Sequence, residues 1–199
     1  MKLSIAVPTH NMENAAGFLR RLMQSLEKQT FQDFEIVITK DGKMAENTNA
    51  AIKKCKGEII KIMYMDDYFA HENSLQNTVQ GFKGGWLATG CLHDSGNSEL
   101  DRPHLPHYNG IPNNSNTIGS PSVIAFENSD SPILFDEQMT WVLDLDYYKR
   151  LFEKYGEPTV LDTYDIAIGT GGHQMTYKLT DEERKNEELY FLEKWKTQN

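Results

Sequence analysis

The chain has 199 residues and a mass of 22.8 kDa, the size of one ordinary domain. Its 39% hydrophobic and 11% aromatic content is enough for a packed core and excludes a disordered coil. With 29 acidic and 20 basic residues the formal charge is −9, which repels nucleic-acid phosphates and anionic membrane surfaces.

The N-terminal segment Leu3–Val7 is a compact apolar run, expected as a strand that ends at Pro8. It is too short for a signal peptide. From about Asn14 to Gln29, the residues Phe18, Leu19, Leu22, Met23 and Leu26 recur at helical spacing. Phe34–Thr39 predicts a second strand, stopped by Asp41-Gly42. A second helix carries Thr48, Ala51, Ile52 and Cys55 and ends at Gly57. Ile59–Met65 predicts a third strand ending in Asp66-Asp67, followed by a helix with Leu75, Val79 and Phe82 inward. A further strand lies near Trp86–Thr89.

From about Leu92 to Ser120 the periodicity lapses into Gly, Pro, Asn, Ser and His, the mark of a long loop that is functional or mobile. Ser122–Phe126 then predicts a strand, Leu143–Tyr155 a helix and Thr159–Ile168 a last strand region. The final helix opens on Thr180 and Glu183 as a capping box, with Leu189, Leu192 and Trp195 on its apolar side. No apolar run approaches the ~18–20 residues of a spanning helix. The two cysteines, Cys55 and Cys91, have no metal spacing and fit a reducing compartment. The expectation is a soluble cytoplasmic protein.

Alternating strands and helices imply an α/β fold with a parallel sheet, because parallel neighbours need long crossovers. Ligands then sit beyond the carboxyl ends of the strands. Those ends carry Pro8-Thr9-His10-Asn11, Lys40-Asp41-Gly42 and Asp66-Asp67. Two adjacent acids at the end of an apolar strand are costly unless they hold a cation or a hydrogen-bonded ligand. Oxygen ligands suit Mg²⁺ or Mn²⁺; a solvated turn whose carboxylates cap the next helix is the plainer reading. Tyr64-Met65-Asp66-Asp67 also matches the metal-binding tetrapeptide of reverse transcriptases. The negative charge and the short chain oppose a polymerase.

A second resemblance covers more of the chain. Ser4–Asn11, Ser25–Ile38 with Asp41-Gly42, Gly57–Ile60 leading into Asp66-Asp67, and Trp141–Leu151 occur in the order found in family 2 glycosyltransferases. These blocks span about three-quarters of the sequence. The resemblance implies a GT-A, Rossmann-like, mostly parallel sheet flanked by helices, in a single domain over residues 1–199. Residues 1–91 or so would form the nucleotide-sugar-binding half; residues from about 92 to 199 would form the acceptor-binding half with the C-terminal helix. It further implies inverting transfer from a nucleotide-diphosphate sugar, a UDP-sugar favoured, to a carbohydrate or glycolipid acceptor in polysaccharide biosynthesis, with Mn²⁺ or Mg²⁺.

Carried over by position, Pro8, Thr9 and Asp41 would hold the nucleobase and Asp66 the ribose. Asp67 would ligate the metal, with His173 completing its shell, and Lys43 would reach the diphosphate. Asp144 would be the general base. The sequence departs from the pattern at Lys40, at Tyr64 and at Leu143-Asp144, where Asp146 competes for the role of base. A helix sets Asp144 and Asp146 about 200° apart, so only one faces the cleft. Each residue also has a plainer role. Thr9 ends a strand, Asp41-Gly42 makes a turn, Asp144 caps its helix, and His173 is a histidine bonded to backbone. His93, His104 and His107 lack zinc spacing. Trp86 reads as core, and Trp141 as a surface for a sugar ring. The rival functions are a degenerate nucleotide-sugar-binding module and a metal-dependent nucleotidyltransferase, the latter without its usual glycine- and lysine-rich phosphate loop.

Overall fold

The computed structural model describes residues 1–40, 42–96, 99–110 and 115–196. The elements run β1 (Leu3–Pro8), α1 (Ala15–Glu27), β2 (Phe34–Thr39), α2 (Met44–Lys54), β3 (Ile59–Ile62), β4 (Tyr68–Phe69), α3 (Ser74–Gly81), β5 (Trp86–Asp94) and β6 (Leu100–His104). They continue with β7 (Ile124–Glu127), α4 (Leu143–Tyr155), β8 (Thr159–Gly169) and α5 (Asp181–Lys196). Among the described residues no helix is long and apolar enough to cross a membrane.

One eight-stranded sheet has the order β2-β1-β3-β7-β5-β8-β4, with β6 on the outer half of β5. β1, β2 and β3 are parallel, as are β5 and β8, whereas β7 runs antiparallel between β3 and β5. The sheet is therefore mostly but not wholly parallel. A return strand joins its two parallel halves, and an apolar run carries no signal of its direction. β3 is also shorter than expected: the chain leaves the ladder after Ile62, and Asp67 N–H closes a turn onto the Tyr64 carbonyl at 3.0 Å.

The long loop expected after Leu92 is partly a hairpin, since β5 continues to Asp94 and pairs with β6. Pro103 sits in β6 because an edge strand needs no donor on its open side. His93 Nδ1 and His104 Nε2 bond the main-chain carbonyls of Arg102 and Thr117 at 2.7 and 3.1 Å, and no cluster of three or more metal-ligating side chains occurs among the described residues.

The core lies on both faces of the sheet. Leu22 and Leu26 of α1, Ala51 and Ile52 of α2, and Tyr147, Tyr148 and Leu151 of α4 are buried against β-strand residues such as Ile5, Ile60 and Phe126. Each large apolar side chain so placed contributes ~1.5–3 kcal/mol. Trp86 is part of this core, its ring stacked on Tyr148 with centroids 6.0 Å apart and its Nε1–H donating to the Gly156 carbonyl at 2.8 Å. In α5 the buried residue is Phe191, while Leu189 faces out. The Thr180–Glu183 capping box forms as expected, with the Thr180 and Glu183 amides each bonded to the other side chain at 2.8 and 3.2 Å.

Candidate active site

The carboxyl ends of β1, β3 and β8 open into a cleft of about 580 Å³ that α4 closes from the other side. Pro8, His10, Lys43, Asp66, Asp67, Asp144 and His173 line it. Three segments far apart in sequence thus deliver their polar ends to one place, as a parallel crossover fold dictates. Asp41 lies outside the described residues.

Asp66 and Asp67 are adjacent in the chain but differ in role. Asp67 is 3% exposed. Its Oδ1 accepts the Gly169 N–H at 2.9 Å and its Oδ2 the Ser120 hydroxyl at 3.2 Å. Burial, and then the charge of Asp66, push its carboxyl up to about 8. Asp66 turns the other way and meets His173 Nε2 at 3.0 Å through Oδ2. Burial raises its pKa as well, opposed by His173 and Arg21. Of the two acids it is Asp66 that stands beside His173, while Asp67 lines the same cleft.

His173 is held in place by the ring of Phe18 from α1, centroids 4.8 Å apart. Arg21, one helical turn on, donates from Nη2 to the main-chain carbonyl of Asp66 at 2.6 Å. Its Nη1 pairs with Asp94, and its guanidinium lies 4.3 Å from the centre of the Tyr68 ring. Gly169 packs directly on the same Asp66 carbonyl, where a side chain would overlap it. These contacts fix the Asp66 backbone. The sequence offered no signal for Arg21, whose partners lie 45 and 73 residues away.

Thr9 does not line the cleft. Its hydroxyl and its N–H both donate to the Thr39 carbonyl, each at 2.8 Å, and Asn47 Nδ2 donates to its carbonyl at 2.8 Å. Thr9 thus ends its strand, as its plainer reading has it, while Pro8 and His10 face the cleft. The His10 imidazole is held below its usual pKa by burial. Lys43 is exposed at the rim, its main-chain N–H tied to Glu46 at 2.9 Å.

The structure separates the two acids of α4. Asp146 is fully buried and turned from the cleft, bonded to Arg150 at 2.6 Å, Lys194 at 2.7 Å and Trp195 Nε1 at 3.2 Å. Asp144 lies on the cleft wall. Its Oδ1 accepts the Leu145 N–H at 2.8 Å and its Oδ2 the Asn116 side-chain amide at 2.7 Å. Burial pushes the Asp144 carboxyl up to about 7 against these two bonds. Helix α4 has no cap of its own. Its entry is held instead by Glu187 of α5, whose Oε1 accepts from the main-chain N–H groups of Thr140, Trp141 and Val142 at 2.7, 2.5 and 2.8 Å. A carboxylate at the positive end of a helix is favourable.

A further ionisable group lies beneath the cleft. Lys61 of β3 is fully buried and donates to the carbonyls of Ser122 and Ile124; burial lowers it to about 7.

No protein-family model and no curated protein matches the chain. Solved structures do match. Staphylococcus aureus TarS, residues 1–349, crystallised with UDP, is 20% identical with a TM-score of 0.68 over 86% of this chain and 61% of that one. The same protein with UDP-GlcNAc is 18% identical, with a TM-score of 0.67 over 90% and 62%. A longer TarS structure gives 0.62 at 18% identity, over 86% of this chain and 37% of that one. The chain thus spans about three-fifths of the length of the first of these relatives. These likenesses establish the architecture: a mixed α/β sheet flanked by helices, of the GT-A, Rossmann-like fold.

Proposed function

We propose that the chain transfers a sugar from a nucleotide-diphosphate donor, a UDP-sugar favoured, to a hydroxyl of a carbohydrate or glycolipid acceptor, with inversion. The observation that carries this reading is the placement of Asp144, a carboxyl with a pKa near neutrality, on the same cleft as the Asp66–His173 pair. TarS was solved with UDP and with UDP-GlcNAc, which supports the choice of donor.

The residues fit a divalent ion in part. Asp66 and His173 offer an oxygen and a nitrogen at one wall, and no cluster of three or more metal-ligating side chains occurs among the described residues. Two protein ligands suit Mn²⁺ or Mg²⁺, which fill their shells with donor phosphates and water. Asp66 and His173 would hold such an ion; bound there, it would supply charge neutralisation for the departing nucleoside diphosphate.

The chain's own groups supply the rest. A sugar hydroxyl is a weak nucleophile, and the Asp144 carboxylate takes its proton as the oxygen attacks the anomeric carbon. Asp67 is almost wholly buried and Asp66 is paired with His173, whereas Asp144 lies on the cleft wall with lone pairs left over from its two hydrogen bonds, so it is the carboxylate assigned this work. With Asp66 paired to His173 and Asp67 bonded to Gly169 and Ser120, one base and no assigned carboxylate nucleophile correspond to single displacement. Pro8 holds the nucleobase, and Lys43 reaches the diphosphate from the rim.

Thermal denaturation with UDP and UDP-GlcNAc, each with and without Mn²⁺, tests donor binding. A transfer assay with an acceptor panel tests turnover. Metal-enhanced stabilisation followed by loss of the donor sugar to an acceptor is expected. Binding without product would leave a degenerate nucleotide-sugar module, and no binding would overturn the proposal.

A further inference from the structure

The carboxylate of Asp144 has two hydrogen-bond donors, and only one comes from its own helix. The other is Asn116, which reaches the cleft from the segment leading into β7. Every polar group of the Asn116 amide is engaged. Oδ1 accepts from the N–H groups of Ile118 and Gly119 at 3.0 and 2.9 Å. Nδ2 donates to the Gly119 carbonyl at 3.0 Å and to Asp144 Oδ2 at 2.7 Å. A flipped amide would set its NH₂ against two N–H donors, so the direction of the bond to Asp144 is determined.

The turn that Asn116 organises is itself anchored. Tyr148 of α4 donates to the Gly119 carbonyl at 2.8 Å, and Ser120 donates to Asp67. One stretch of seven residues, 116–122, therefore touches the acid at the end of β3 and the acid at the start of α4. Tyr64 N–H closes the far end by donating to the Ser122 hydroxyl at 2.9 Å.

We infer that Asn116 is a positioning residue for the general base, holding the Asp144 carboxylate in one rotamer and favouring its ionised form. The inference rests on the reading of Asp144 as the base. The chemistry is that of a neutral donor aimed at a carboxylate. It satisfies one lone pair of Oδ2, leaves the others for an incoming hydroxyl, and adds no positive charge that would quench basicity. The other ionisable groups near Asp144 are Glu187 from α5, Tyr64 beyond β3 and Tyr148 on its own helix. Glu187 acts in the opposite sense to Asn116, since its negative charge disfavours ionisation of Asp144.

Two substitutions separate positioning from a merely structural role. Asn116→Asp keeps the oxygen that organises the turn but sets a second carboxylate against Asp144. Glu187→Gln keeps an acceptor for the three N–H groups but removes a charge. With Asn116→Asp, kcat should fall ~10–100-fold with donor KM unchanged, and the rising limb of the pH–rate profile should move to higher pH. With Glu187→Gln the limb should move to lower pH. Simple loosening of the cleft would not shift the two in opposite directions.

The Asp144 side-chain carboxyl carbon, followed by NMR through a pH titration, gives a readout that needs no turnover. In Asn116→Asp its midpoint should rise. An unmoved midpoint together with wild-type kcat overturns the inference. A moved midpoint in a protein that shows no transfer would instead overturn the assignment of Asp144 as base and leave the Asn116–Asp144 coupling standing.

Discussion

The guanidinium of Arg21 donates to the main-chain carbonyl of Asp66 at 2.6 Å, and Gly169 closes on the same oxygen from β8. Helix α1 and the last long strand thus hold the backbone of the residue that faces His173. Gly169→Ala should displace that carbonyl, cost ~1–3 kcal/mol of stability and weaken UDP binding. Thermal denaturation and calorimetric titration check both, and an unaltered UDP affinity would show that the Asp66 backbone does not matter to the donor.

Chelation should lower UDP affinity in the wild-type protein. Asp66→Ala and His173→Ala should abolish the Mn²⁺ enhancement, whereas Asp67→Asn should keep it and lower the melting temperature, because Asp67 is committed to Ser120 and Gly169. Titration of each variant with and without Mn²⁺ decides the matter; loss of the enhancement in Asp67→Asn alone would restore Asp67 as the ligand.

Transfer should rise with pH through about 7 as Asp144 ionises, since a base acts only when deprotonated. The stability linkage has the opposite sense. A carboxyl whose folded pKa lies above its unfolded one binds its proton more tightly when folded. Its contribution is full below the unfolded pKa and is lost as pH rises through about 7. Asp144→Asn should therefore cut transfer ~10²–10⁴-fold and make the protein relatively more stable than wild type in mild alkali. Chemical denaturation on either side of neutrality, with product assays, tests both effects.

Asp146→Ala should behave quite differently. It strips a buried partner from Arg150 and weakens the hold on Lys194, which retains Asp136 at 2.7 Å. A loss of up to ~3 kcal/mol is expected, seen as a fall in the urea midpoint. A stable but inactive Asp146→Ala would reopen the choice of base.

Thr9→Val should cost ~1 kcal/mol through loss of the hydroxyl bond to Thr39 and leave UDP affinity unchanged. A fall in affinity without loss of stability would return Thr9 to the nucleobase site.

Much of this arrangement was legible in the sequence because it is local. Leu22 and Leu26 mark the buried face of α1, and Ile5 and Val7 the buried β1. The crossover rule then brings Pro8, Asp66 and Asp67 to one edge without further information. The rest depends on distant partners. Nothing near Asp144 and Asp146 tells which faces the cleft, because the answer is set by Lys194 and Trp195 of α5. Thr9 reads as a cleft residue until Thr39 and Asn47 are known to surround it. The direction of β7 and the two-residue β4 leave no periodic trace, since their partners decide them.

The dependence of α4 on Glu187 has a consequence for how the protein comes into being. The helix that carries Asp144 has no starting cap of its own, and the carboxylate that closes it lies some forty residues further along, in α5. During synthesis the donor-side edge of the sheet can assemble early. The wall opposite it gains its final shape only once α5 has docked, so the cleft is completed by a helix that follows the sheet in the chain.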